Sequence, residues 1–387
     1  MNKKELELYI HIPFCVRKCS YCDFLSAPAT EQTREAYMAA LFAEIGRRAK
    51  DYSDRTVTSI FIGGGTPSLL SGEQIGQLMD RIREQFAMAQ DAEITMEVNP
   101  GTASAEKLRN FYTAGINRLS IGMQSAQAEE LKNLGRIHDF EGFCQVYREA
   151  VEAGFTNINV DIMSGLPGQT LASYRDTLEK VLHLEPMPQH ISAYSLIVEE
   201  GTPFAAMAER GELPLPEEET ERAMYEETIE VLAKYGFHRY EISNYARDGY
   251  ECRHNVGYWI RREYLGFGIG AASLIDNVRF QNEKSLGAYL AHPLESREEE
   301  QTLTVQDRME ETMFLGLRLT RGVSCVDFAE QYGRTVEEVY GEVIARNVAD
   351  GLLTVTERKE NQKKDRLLAL TKRGLDLSNY VMAQFLF

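Results

Sequence analysis

The sequence predicts an α/β chain: a partial, TIM-type (β/α)6 parallel barrel followed by a C-terminal helical, winged-helix-like domain. Three observations carry the prediction. Runs rich in Ile and Val alternate with segments of helical spacing up to about residue 200. Turn residues end each run, so successive strands are joined by helical crossovers, which makes them parallel neighbours. After about Thr304, helix-like segments lead into two short strands around a polar turn.

In chain order, "LELYIHI" ends at Pro13 and "REAYMAALFAEIGRRA" follows with helical spacing. "TSIFIG" runs into Gly63 before a helix from about Ser71 to Phe86. "EITMEV" stops at Asn99-Pro100 ahead of a helix near Glu106. "INRLSIGM" precedes helical segments at Glu129 and Phe140, and "FTNINVDIM" meets Ser164-Gly165 before a helix near Ser173. "QHISAYSLI" supplies the sixth strand. The acidic stretch "LPLPEEETERAMYEETIEVLAKYGF" reads as a loop and an amphipathic helix with a solvated face. "MEETMFLGLRL", "CVDFAEQYG" and "VEEVYGEVIARNVADGLL" read as helices, and "LTVTERK" with "DRLLALTKRG" as a hairpin.

With 387 residues, 43% of them hydrophobic and 26% charged, the chain can bury a large core and a smaller second one. The net charge of −17 argues against a nucleic-acid partner or an anionic membrane, which would need a basic stripe. The winged-helix-like segment is therefore expected to pack or act as a lid rather than bind DNA. Six cysteines are too few for a disulfide scaffold. "MNKKELELYI" shows no export signal, so a cytoplasmic, reducing location is expected. No apolar run reaches the ~18 residues of a spanning helix, which leaves peripheral membrane contact at most.

Active sites of parallel barrels lie at the carboxyl ends of the strands. The unusual residues of this chain fall there: Cys15, Gly63 to Thr66, Glu97, Gln124 and Asp161. Within "HIPFCVRKCSYCDF", residues 11–24, Cys15, Cys19 and Cys22 form one compact trio. Structural zinc usually takes four ligands as two separated pairs, and here His11, or Cys252 with His254, could complete a set. A [4Fe–4S] cube would instead take the three thiolates and leave one iron for a small molecule. The cluster explains more, because glycines, carboxylates and Tyr21 gather round the same mouth. Cys144 and Cys325 sit in apparent helices and read as core residues.

The Cys-x3-Cys-x2-Cys loop after the first strand of a partial barrel resembles the radical S-adenosylmethionine (SAM) superfamily. The resemblance implies a [4Fe–4S] cluster whose open iron is chelated by SAM, and reductive cleavage of SAM to a 5′-deoxyadenosyl radical. Gly63-Gly64-Gly65-Thr66-Pro67 is similar to the branch of oxygen-independent coproporphyrinogen III oxidase. There Gly64, Gly65 and Thr66 would contact the methionyl part of SAM. The resemblance further implies Glu97 on the ribose hydroxyls, Tyr21 along the adenine, and Tyr9, Gln124, Arg136 and Asp161 as further SAM-binding positions. Bland alternatives stand beside these: a turn amide for Gln124, a surface arginine for Arg136, a helix cap for Asp161.

Two departures separate the chain from the oxidase. The oxidase motif carries a fourth cysteine where Phe24 stands, and a longer stretch precedes it than the fourteen residues before Cys15. Phe24 is similar instead to the haem chaperone family known as HemW. "RHNVGYW" agrees, since His254, Asn255, Tyr258 and Trp259 match the His-Asn-x-x-Tyr-Trp signature of that group. A neutral imidazole can ligate iron and aromatic rings can cover a porphyrin, which makes these four residues the expected haem site. A satisfied histidine in a packed loop is the alternative, and "YLGFGIGAAS" downstream suggests tight backbone packing. The expected domains are a radical SAM core over 1–235, a connecting segment with the haem motif over 236–300, and the C-terminal domain over 301–387. Haem is the expected cargo, apo-haemoproteins, possibly respiratory ones, the recipients, and decarboxylation of coproporphyrinogen III the alternative function.

Overall fold

The computed structural model describes residues 4–295, 297–360 and 363–386. Six parallel strands lie side by side in chain order: β1 (Lys4–Ile12), β2 (Arg55–Gly64), β3 (Ala87–Val98), β4 (Arg118–Gln124), β5 (Ile158–Ser164) and β6 (His190–Ser195). The crossovers are α1 (Glu31–Arg48), α2 (Gly72–Gln85), α3 (Ala105–Thr113), α4 (Ala128–Leu134) with α5 (Phe140–Ala153), and α6 (Leu171–Leu182). Consecutive order with no switch point is the winding of a barrel, and the sheet stays open, as expected of a partial one.

Local sequence sets these boundaries. Ser71 with Gln74, and Thr170 with Ser173, close reciprocal caps that satisfy the first amides of α2 and α6. Gly135 and Gly154 end α4 and α5 in the left-handed region, where other residues pay a steric penalty. Along each strand side chains alternate between faces. One face carries Leu6, Leu8, Ile10 and Ile12 of β1, all fully buried beneath the helices. The inner face is polar: Ser59, Glu93, Asn159, Asp161 and His190 are linked across it or to neighbouring elements by hydrogen bonds.

After β6 come α7 (Pro203–Glu209) and α8 (Glu218–Lys234). Residues 236–300, expected as a connecting segment, extend the sheet at both edges. β7 (His238–Arg239) and β8 (Asn244–Ala246) join antiparallel beside β6. Then follows α9 (Arg253–Trp259), and β9 (Tyr264–Phe267) runs parallel to β1. β10 (Ala272–Ile275), β11 (Val278–Asn282) and β12 (Arg297–Thr302) continue as an antiparallel meander, with α10 (Leu286–Ala291) between the last two. The tight packing expected of "YLGFGIGAAS" is real: a Cβ on Gly266 would collide with Ala272 O.

The C-terminal domain has its own core, which includes Met313, Phe328, Val336 and Leu368. It runs α11 (Val305–Gly316), β13 (Val323–Ser324), α12 (Cys325–Tyr332), α13 (Val336–Ala349), β14 (Leu353–Glu360) and β15 (Lys363–Leu370), then α14 (Lys372–Asp376) and α15 (Ser378–Ala383). Three helices and a three-stranded sheet in the order β13-β15-β14 make the winged-helix-like arrangement. Glu311 ties the domain to the sheet, pairing with Arg261 at 2.8 Å and Arg279 at 2.7 Å. Among the described residues no helix is long and apolar enough to cross a membrane.

Candidate cofactor site

The cysteine loop follows β1 and is closed at its base by Cys15 N–H donating to Ala27 O (3.1 Å) and Ala27 N–H to Pro13 O (2.9 Å). Its tip is held from the far side: Ser20 N–H reaches Leu134 O at 3.0 Å, and Arg17 Nη2 reaches Gly135 O at 2.6 Å. Cys15, Cys19 and Cys22 are all free and half-buried. Burial pushes the Cys22 thiol up, and the Cys19 and Cys15 sulfurs push the same way; all three line one cleft.

The glycine loop at the end of β2 docks directly against this loop. Gly65 N–H donates to Ile12 O (2.8 Å), Thr66 N–H to Phe14 O (2.7 Å), and Thr66 Oγ1 lies 3.5 Å from Cys15 Sγ. Any side chain at Gly65 would sit 2.7 Å from Phe14 O, so only glycine permits the approach. Gly64 has φ +105°, and a Cβ there would collide with the His11 ring.

Carboxylates fill the opposite wall. Gly64 N–H donates to Glu97 Oε2 at 3.0 Å, which leaves Oε1 free to face the cleft. Glu97 is pushed up to about 8, by burial first and then by the neighbouring Asp161. Burial also raises Asp161, against hydrogen bonds from Asn159, Ser192 and Ser120. Gln124 adopts φ 68°, and the β4–β5 register shifts between Gly122 and Gln124, which re-aims its side chain into the cleft. Arg136, one residue past the left-handed Gly135, donates from Nη2 to Gly122 O at 2.6 Å. Its Nη1 lies 4.0 Å from Cys19 Sγ, and its buried Nε has no partner.

The structure thus brings Cys15, Cys19, Tyr21, Cys22, Gly64, Gly65, Thr66, Glu97, Gln124, Arg136 and Asp161 to one cleft. Tyr9 is set apart, its hydroxyl 2.9 Å from His11 Nδ1 beneath the mouth. Sequence reasoning missed Ser120, which donates to Asp161, and Asn99 at the rim. Ser120 could have been found as the position two before Gly122 on the same face of β4.

The expected haem residues lie elsewhere, on α9 against the inner face below the mouth. His254 is buried. Its Nδ1 lies 2.9 Å from Ser59 Oγ, its Nε2 3.2 Å from Tyr258 Oη, and its ring packs against Phe61 at a tilt of 30°. Burial lowers it to about 3, so it is neutral. Both ring nitrogens are thus engaged inside the fold, and the ring lies behind α9 rather than in the cofactor cleft. Tyr258 is the partner of that ring, Asn255 is half-buried on the same helix, and Trp259 points the other way, into a cavity against the C-terminal domain. The zinc alternative is not assembled either. Cys252 Sγ lies 3.5 Å from Glu93 Oε1, and both His11 nitrogens are used, by Tyr9 and by Leu25 O.

Three thiols with no fourth cysteine in the cleft, an unpartnered guanidinium nitrogen, and paired carboxyls suited to hydroxyl or cationic groups together fit an iron–sulfur cube with SAM.

Comparison with known proteins agrees with this donor set. Residues 9–181 match the model of the radical SAM superfamily, and residues 303–377 that of the HemN C-terminal domain. The chain is 38% identical to the heme chaperone HemW of Bacillus subtilis over 98% of both chains. It is 37% identical to the heme chaperone HemW of Escherichia coli over 90% of this chain and 92% of that one. The solved structure of coproporphyrinogen III oxidase (HemN) from Escherichia coli, described as a radical SAM enzyme, covers 99% of this chain at 28% identity, with a TM-score of 0.85 and 90% of its own length matched. Carrying both domains and matching these relatives along nearly its whole length, the chain belongs to the radical SAM superfamily, in the family of the heme chaperone HemW proteins.

Proposed function

We propose that this protein binds haem and passes it to apo-haemoproteins, respiratory ones among them, in the cytoplasm. The observation that carries the reading is full-length identity of 36–38% with relatives named heme chaperone, against 28% with the oxidase. Phe24, exposed at the position of the oxidase's fourth cysteine, supports it.

Cys15, Cys19 and Cys22 hold a [4Fe–4S] cluster in this reading. When bound, the cluster supplies an electron and an iron corner open to SAM. The chain's own residues bind and orient. Glu97 Oε1 accepts from ribose hydroxyls, and the amides of the glycine loop line the methionyl end. Tyr21 flanks the adenine, Arg136 holds the Cys19 side of the loop, and Gln124 and Asp161 close the far wall.

The test uses the anaerobically reconstituted full chain. Loaded with haem, it should transfer the haem to an apo-haemoprotein faster than free haem partitions, and should leave coproporphyrinogen III unconverted with SAM and a reductant, read by mass. Efficient formation of protoporphyrinogen IX would overturn the carrier reading in favour of the oxidase. Cys19→Ala should lose the roughly four irons of the cluster.

A further inference from the structure

We infer that the haem seat is the cavity between the end of α9 and the C-terminal domain. It takes a planar apolar macrocycle bearing two carboxylates, and it holds this ligand by its faces and its acid groups without a side-chain ligand to iron. The inference rests on the haem-carrier reading above and gives that reading a place in the molecule.

α9 presents its residues in two directions. His254 and Gly257 face the barrel interior, where a Cβ on Gly257 would collide with the Glu7 carboxylate, so this side of the helix is a plug. Trp259 and Ile260 face outward and line a cavity of about 530 Å³, larger than the 140 Å³ cleft at the strand ends. Its size falls within the range of small-molecule sites.

The walls suit a flat hydrophobic ligand. Trp259, the sole tryptophan, shares the lining with Ile260, Val326 and Leu367, and Ile260 is 44% exposed. The Arg318 guanidinium stacks over the indole at 4.2 Å from its centroid and fixes the ring. The indole Nε1–H is buried without a hydrogen-bond partner, so it is the ring carbons and not this donor that meet the cavity. An aromatic wall of this kind is what a porphyrin can pack against.

Charge agrees with the two carboxylates. Arg321, Arg358 and Lys364 line the cavity, and Arg321 and Lys364 make no ion pair with any described residue. Asp327, Glu330 and Asp365 share the lining, and the Asp365 carboxylate is engaged by Val326 N–H at 3.2 Å. In a chain of net charge −17 this is a locally neutral patch with two uncommitted cations.

The lining holds no histidine, cysteine or methionine, the side chains that ordinarily ligate haem iron. Cys325 lines the adjoining groove, and burial pushes its thiol up to about 11, which keeps it from being a thiolate at neutral pH. A carrier that leaves the iron unligated by its own side chains keeps the metal accessible to the recipient's ligands.

The experiment titrates the full chain with haem, metal-free protoporphyrin IX and protoporphyrin dimethyl ester, following absorbance and porphyrin fluorescence. Haem and protoporphyrin should bind with similar affinity. The double variant Arg321→Glu/Lys364→Glu should weaken both on the order of tenfold and leave the ester unaffected. Val326→Trp, which fills the cavity, should weaken all three while melting at the parent's temperature. If the parent binds haem and both variants bind it equally well, or if protoporphyrin fails to bind where haem does, this seat is wrong and the carrier reading survives. If the parent binds no haem at all, both fall together.

Discussion

At the residue scale, Gln124 shows how the mouth is shaped against local preference. A non-glycine residue at φ 68° is uncommon, and this one sits at a register shift whose effect is to aim an amide into the cofactor cleft. Strain of this kind persists only where the surroundings over-determine it. Gln124→Val should destabilise the protein by about 1–3 kcal/mol in urea melts, because a β-branched side chain tolerates this region worst. Gln124→Gly should cost no stability, since glycine adopts the conformation freely. Both should weaken SAM binding to the reconstituted protein. Equal destabilisation by Val and Gly would show that side-chain contacts, and not backbone conformation, decide this position.

At the scale of elements, legibility followed signal length. The six βα units were readable because segments rich in Ile, Val and Leu alternate with segments of helical spacing, and the strand ends were marked by Pro13, Gly63, Asn99 and Gly165. The mouth residues followed from those ends. β7 to β12 were not readable, because strands of two to six residues beside turns carry too little periodicity. "RHNVGYW" was legible as a motif and not as a place. A run of consecutive residues on a helix points in every direction, and only the packing of α9 puts His254 inside and Trp259 outside. The joint that holds this arrangement is the Arg261–Glu311 pair, with side chains 4% and 7% exposed. Removing one partner of a buried pair leaves the other charge uncompensated and costs about 3–5 kcal/mol. Glu311→Ala should therefore uncouple the C-terminal domain, seen as faster proteolysis within residues 301–320 and an earlier melting step. A single unchanged transition would show that the pair does not carry the docking.

Across the whole molecule, the inner face of the barrel is a polar interior, and its cost is a dependence of stability on pH. The alternation that builds it was visible in "ELELYIHI", where Glu7, Tyr9 and His11 alternate with leucine and isoleucine. Glu7 is the clearest case. Its side chain is wholly buried, Oε2 has no hydrogen-bond partner, and Ser59, His254, Arg262 and Glu93 surround it. Burial raises it to about 8, against the pull of Arg262. The folded state therefore keeps a proton that the unfolded chain releases near 4.5. Between those two values the native state binds more protons than the unfolded one, so this group's contribution is full below about 4.5 and is lost as pH rises through about 8. The slope is at most about −1.4 kcal/mol per pH unit for one group. Glu97, raised the same way by burial and Asp161, adds in the same direction. Glu7→Gln mimics the protonated form permanently. Urea melts should give parent and variant equal stability below about pH 4.5, with the variant pulling ahead steadily as pH rises from there to about 8. A difference that stays constant across this range would mean that Glu7 is already ionised in the folded protein, with Arg262, 3.4 Å from its Oε1, overcoming the burial.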